Sequence, residues 1–196
     1  MIKWLVRKDP LNSIIKILPG LGFYYQGEVE PAREFFEITF LSDKDDPLVL
    51  WHYGRVLAAG YHTDQAITIL NRCTEKGRFV IARFSQLLSL ALQNRKQDVL
   101  NAITPDIDCL AKKDWLASLW LAECLSVIGE DVEAMNYLEQ AVNLGGINFP
   151  FLTKHDRFLT NLWDDPRCRQ IVHNVKAKYQ AEHESVMHWL EEVDHL

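Results

Sequence analysis

Seven histidines, four cysteines and a surplus of carboxylates are the groups through which this chain could do chemistry. His183 and His188 stand five apart, which puts them on different faces of a helix. His188 and His195 stand seven apart with Glu191 and Glu192 between them, a spacing that could align two imidazoles and a carboxylate. No cysteine lies near to complete a closed metal site, so these histidines read as solvated. Cys73, Cys109, Cys124 and Cys168 form no CxxC pair and read as small, reduced, packing side chains in a reducing cytosol. The acidic stretches Asp43 to Asp46 and Glu191 to Asp194 read as solvated surface, because acids that exchange protons with a substrate need a pocket. GxSxG, HExxH, Gly-rich phosphate-loop and kinase patterns are missing from the sequence. The expectation is a chain without catalytic residues, cofactor or metal.

The elements that must position any site are helices. Apolar residues make up 48% and charged residues 24%, a balance that supports a folded core over disorder. At 196 residues the chain can bury a substantial one. A net charge of -6 disfavours a nucleic-acid partner, since phosphate binding needs a basic face. No apolar run reaches the ~18–20 residues of a membrane span, and Arg7, Lys8, Asp9 and Pro10 interrupt the opening as a signal peptide.

Ala32, Ala66, Leu100 and Ala134 recur every 34 residues, a spacing at which helix pairs stack. Twelve residues earlier stand Gly20, Gly54, Leu88 and Ala122; nine earlier, Phe23, Leu57, Ala91 and Leu125. Four later stand Phe36, Leu70, Thr104 and Leu138; seven later, Thr39, Cys73, Ile107 and Ala141. The third copy is degenerate. Gly129 to Gly145 (GEDVEAMNYLEQAVNLG) and Gly27 to Thr39 (GEVEPAREFFEIT) are the best copies. Over roughly residues 10–145 the chain resembles the tetratricopeptide-repeat family. That resemblance implies an all-α, right-handed superhelical solenoid of about four helix pairs with a C-terminal capping helix.

The pairs are expected near 10–44, 47–77, 79–112 and 114–145, giving a repeat region over 1–150 and capping helices over 151–196. Asp9-Pro10 predicts a first cap, Pro19-Gly20 a broken or kinked first helix, and Gly60 the second turn. Thr104-Pro105 should end a helix or restart one, and Asp114 should cap the fourth pair. Phe151 to Gln180 resembles the endings of bacterial repeat domains that sit behind kinase, cyclase or DNA-binding modules, matching at Asp156, Leu159, Leu162, Asp165, Pro166 and Arg167. Asp165-Pro166 should start the last helix while Phe158, Leu162 and Trp163 plug the fourth pair against Tyr137, Leu138 or Ala141. Val172, Val175, Tyr179, Val186, Trp189, Val193 and Leu196 draw an apolar stripe along that helix. The stripe either packs on the solenoid or projects to pair with another chain.

In the family, the second, fifth and ninth positions of each first helix face the concave groove. Carried over, these are Ile14, Ile17 and Leu21; Leu48, Trp51 and Arg55; Ala82, Ser85 and Ser89; Leu116, Leu119 and Glu123. Only Arg55 matches the basic clamp of the chaperone-binding subset, so the groove reads apolar. Glu191-Glu192-Val193-Asp194 spells the chaperones' terminal tetrapeptide, but His195 and Leu196 follow it. The functional expectation is a cytoplasmic, non-catalytic protein-interaction scaffold or regulatory module of a bacterial signalling protein. Its partner would be a protein or peptide, with no nucleic acid and no membrane insertion. The other class weighed is a homodimer pairing through Val186, Trp189 and Val193. Arg55→Ala in the groove is expected to leave stability nearly unchanged.

Overall fold

The computed structural model describes residues 12–76 and 80–193, and among them every regular element is helical. Four antiparallel pairs follow one another. They are α1 (Ser13–Tyr25) with α2 (Val29–Ser42), and α3 (Pro47–Ala59) with α4 (Thr63–Lys76). Next come α5 (Val80–Leu92) with α6 (Lys96–Ala102) and its continuation α7 (Pro105–Ala111), and α8 (Trp115–Val127) with α9 (Asp131–Asn143). A π-helical turn (Phe151–His155) and a 3-10 turn (Arg157–Leu162) lead into α10 (Pro166–Val193).

Local chemistry sets the helix starts. Asn12 accepts from the amides of Ile14 and Ile15, Asp46 from Leu48 and Val49, and Asp114 from Ala117 at 2.7 Å. Each side chain satisfies amides that have no partner within the helix, and Pro47 loses nothing at a first helical position. The Asp9-Pro10 cap lies outside the described residues. Pro19 does not break α1, which runs through it to Tyr25. Pro105 does divide its element into α6 and α7, as its missing N–H requires.

Each pair turns in the same way. The second residue after the first helix has positive φ in all four cases: Gly27 (82°), Tyr61 (63°), Asn94 (56°) and Gly129 (71°). Its amide bonds back three residues and the next amide bonds back five, as Glu28 does to the Phe23 carbonyl and His62 to that of Leu57. This is the Schellman arrangement, which satisfies helix-end carbonyls. In the second pair the positive φ therefore falls on Tyr61, not on Gly60, whose φ is -83°.

The repeat carries one slip. Second helices start at residues 29, 63, 96 and 131, steps of 34, 33 and 35. The fourth residue of each is Ala32, Ala66, Val99 or Ala134, and all four are fully buried. Val99, not Leu100, is the third anchor. The smallness of the facing positions follows from close approach: a methyl on Gly20 would meet the Phe36 ring at 2.5 Å, and one on Gly54 would meet Leu70 at 2.7 Å. These anchors and the facing Phe36, Leu70, Leu87 and Leu138 belong to one continuous core.

The end of the stack is covered as expected in part. Phe158 and Leu162 are buried, but the 3-10 turn packs chiefly on α8, and Trp163 stays half-exposed. Asp165 caps α10, accepting from the Arg167 amide at 2.6 Å, with Pro166 at its first position. Phe158→Ala is expected to cost about 3 kcal/mol of stability and Trp163→Ala clearly less, since only the first empties a closed volume. Urea denaturation of the two variants checks the order.

Candidate functional site

The concave face is the place where the first helices converge, and here it is a closed interior. Ile17, Trp51, Leu119 and Phe84 line its floor, all nearly or wholly buried. Leu21, Leu48 and Leu116 pack partly against it, and Ile14 faces solvent. The one-residue slip rotates the third helix by about a quarter turn. Phe84 and Leu88 take the positions expected for Ser85 and Ser89. Those serines turn toward the preceding pair instead: Ser85 Oγ donates to the Ile81 carbonyl of its own helix, and Ser89 Oγ donates to Asn71 Oδ1 on α4 at 2.7 Å. Trp51, Phe84 and Trp120 form one aromatic cluster, with Trp120 ring centroids 4.9 Å from Trp51 and 5.3 Å from Phe84.

At the centre of this face lies an ionic group. Arg55 is 1% exposed and Glu123, two pairs away, is 1% exposed; Arg55 Nη2 donates to both Glu123 carboxylate oxygens, at 2.5 and 2.7 Å. The guanidinium also lies over the rings of Tyr24, Trp51 and Trp120 at 5.5 to 5.8 Å. Burial works against its charge, yet the adjoining Glu123 holds Arg55 protonated. Burial pushes Glu123 upward and Arg55 pulls it back. His52, buried beside the group, is pushed down to about 3 by burial and by Arg55, so it is neutral. Arg55 is thus a structural ion, which overturns the expectation that its removal would be neutral.

The face is filled by the chain's own residues 151–162. Phe151 packs its ring against Tyr24 (5.2 Å) and edge-on against Tyr25 (4.9 Å). His155 sits on the Gly27 turn, so close that a methyl there would be 2.2 Å from its Nδ1. Asp156, 1% exposed, caps the 3-10 turn by accepting from the Phe158 amide at 3.0 Å. Arg157 donates to the Ala59 carbonyl at 2.8 Å and lies 4.8 Å over the Tyr61 ring. Asn161 donates to the Ser126 carbonyl at 3.1 Å. The segment therefore runs across the C-terminal ends of α1, α3 and α8; Arg157 supplies a donor to the last carbonyl of α3, and Asn161 adds one to the Ser126 carbonyl that the Gly129 amide already engages. An apolar cavity of about 80 Å³ remains beside it, between Tyr25, Trp115, Leu119 and Phe151.

The other candidates distribute simply. Cys73, Cys124 and Cys168 are buried and Cys109 is exposed; burial pushes the Cys73 thiol up to about 11 and raises the other two buried thiols, which makes them poor nucleophiles. Cys168, Ile171 and Val175 bury the first half of α10 against the stack, while residues 181–191 are exposed. Val186 (51%), Met187 (45%), Trp189 (58%) and Leu190 (42%) face solvent there. The side chains of Glu192 and Val193, and all of His195 and Leu196, lie outside the described residues. Among those described, no helix is long and apolar enough to cross a membrane.

No protein-family model and no curated protein matches this chain. Among solved structures it is similar to YrrB, described as a TPR protein with an unusual peptide-binding site, with 12% identity, 97% of each chain covered and a TM-score of 0.46. The repeat fold is carried by the chain's own geometry: four pairs, one turn conformation used four times, and a buried fourth residue in every second helix.

Proposed function

We propose that the chain is a non-catalytic protein-interaction module whose partner is a protein or peptide. The observation that carries this is the unmatched apolar face of α10. Val172, Val175 and Tyr179 on its first half lie toward the stack, and at the same helical spacing Val186, Trp189 and Leu190 continue the face where residues 181–191 are exposed. Exposed apolar clusters on a folded domain mark interaction sites. The concave face is the second candidate surface, reached once residues 151–162 leave it; Trp51, Arg55, Leu119 and Glu123 would then be its contacts. The unpaired thiols support a reducing, cytoplasmic setting, and the likeness of Phe151 to Gln180 to bacterial repeat-domain endings supports a regulatory role in a signalling protein.

A homodimer through Val186, Trp189 and Val193 is the second reading, favoured because the exposed stripe lies along a single helix and can pair with its own copy. Sedimentation of the full chain over a wide concentration range, beside Trp189→Asp, separates the two. A mass that rises with concentration and stays monomeric in the variant supports the dimer. A strict monomer overturns it. Trp189→Asp should change folding stability by no more than about 0.5 kcal/mol, because the side chain is exposed.

A further inference from the structure

Two carboxylates and one guanidinium share the buried centre of the concave face, and they do not arrive on the same part of the chain. Arg55 and Glu123 belong to the helical stack, and Asp156 belongs to the segment that fills it. Both oxygens of Glu123 are engaged by Arg55. Asp156 Oδ1 accepts from the Phe158 amide, but Oδ2 is buried with no donor among the described residues. An ionised carboxylate can only accept, whereas a protonated one can donate. A proton on Oδ2 turns this orphan into a donor, with Glu123 as the adjoining acceptor.

We propose that residues 151–162 are an intramolecular occupant of the concave face, held by a proton shared between Asp156 and Glu123, and that the segment releases when Asp156 ionises. Release would bare Tyr24, Tyr25, Arg55, Trp51 and Trp120 without dismantling the helix pairs, each of which is closed by its own turn. Gly145, at φ 108°, and Gly146 join α9 to the segment and provide the pivot.

The groups around Asp156 are few. From α1 come Tyr24 and Tyr25, from α3 Arg55, with the neutral His52 behind it, and from α8 Glu123 and the buried Cys124. Arg55 is the one cation the two carboxylates share among the described residues, so a second negative charge would be only partly compensated. Burial, followed by the charge of Glu123, pushes Asp156 well above the usual carboxylate range. The sign follows: the seated segment binds a proton that the released segment has lost above the ordinary Asp range near pH ~3.9. Seating is therefore strongest at low pH and weakens as pH rises toward the seated Asp156 value.

Lys154 and Arg157 lie inside the segment and make its release readable by trypsin. Full-length protein is digested briefly between pH 5 and 9, with an unstructured peptide correcting for protease activity, and fragments are identified by mass. Wild type should show cleavage after Lys154 and Arg157 that rises by up to about tenfold per pH unit until Asp156 is fully ionised. Asp156→Asn keeps the cap and supplies a permanent donor toward Glu123, so its cleavage should be low and flat with pH. Asp156→Ser keeps the cap without a carboxyl, and its cleavage should also be flat, which decides the matter if the Asn variant fails to fold. His155 is retained in both variants, so a pH response of its own would survive in them. A flat wild-type profile, an equal rise in the variants, or simultaneous cleavage at Arg55, Lys76 and Arg95 would overturn the proposal.

Discussion

Arg55→Ala is expected to destabilise the domain by roughly 3–5 kcal/mol, because it strands a buried carboxylate rather than merely removing a bond. The guanidinium is the sole cation facing Glu123 and Asp156 among the described residues, and all three are 1% exposed. Without it Glu123 must either take up a proton or open the centre to water, and both subtract from the ~5–15 kcal/mol a domain holds. The rings of Tyr24, Trp51 and Trp120 also lose the flat group they enclose. Urea denaturation at neutral pH measures the loss as a lower midpoint at unchanged slope. The double change Arg55→Ala with Glu123→Gln should recover part of it, since the stranded charge is then gone. A double variant weaker than the sum of the singles would mean that Glu123 serves the fold through something other than Arg55.

Why the sequence suggests the opposite outcome is instructive. Periodicity reports which face of a helix is inward, and it placed Ala32, Ala66 and Ala134 correctly because those contacts lie within one pair. It cannot report a slip of one residue in a copy whose signature has decayed, so Ser85 and Ser89 stood in for Phe84 and Leu88. Nor can it report what crosses a groove. Residues 151–162 are a π-helical and a 3-10 turn with no repeating pattern, and their bonds reach 98 residues back, from Arg157 to Ala59. A signal did exist: Arg55 and Glu123 have opposite charges at equivalent positions of α3 and α8, 68 residues apart. Opposite charges at inward positions are more simply explained by each other than by a ligand.

Trp51→Ala is expected to cost about 3–5 kcal/mol, the usual range for emptying a fully buried aromatic site. Its ring is 0% exposed and touches the centre on every side: Trp120 at 4.9 Å, Phe84 at 6.5 Å, and the Arg55 guanidinium at 5.5 Å. The cavity would open where α3, α5 and α8 meet, so neighbouring side chains could not collapse into it without moving helices. Trp51→Phe gives the sharper comparison. It keeps most of the apolar ring and removes an indole N–H that has no acceptor among the described residues, so part of the lost packing is offset by relief of a buried orphan donor. The expected order of thermal midpoints is wild type, then Trp51→Phe close behind, then Trp51→Ala far below. Should Trp51→Ala instead melt within about 0.5 kcal/mol of wild type, the concave face would be open and residues 151–162 would not seal it. The order also governs how partners are mapped: binding lost on changing Trp51 or Leu119 counts as lost contact only where the variant stays folded, whereas binding lost on changing exposed Trp189 reports contact directly.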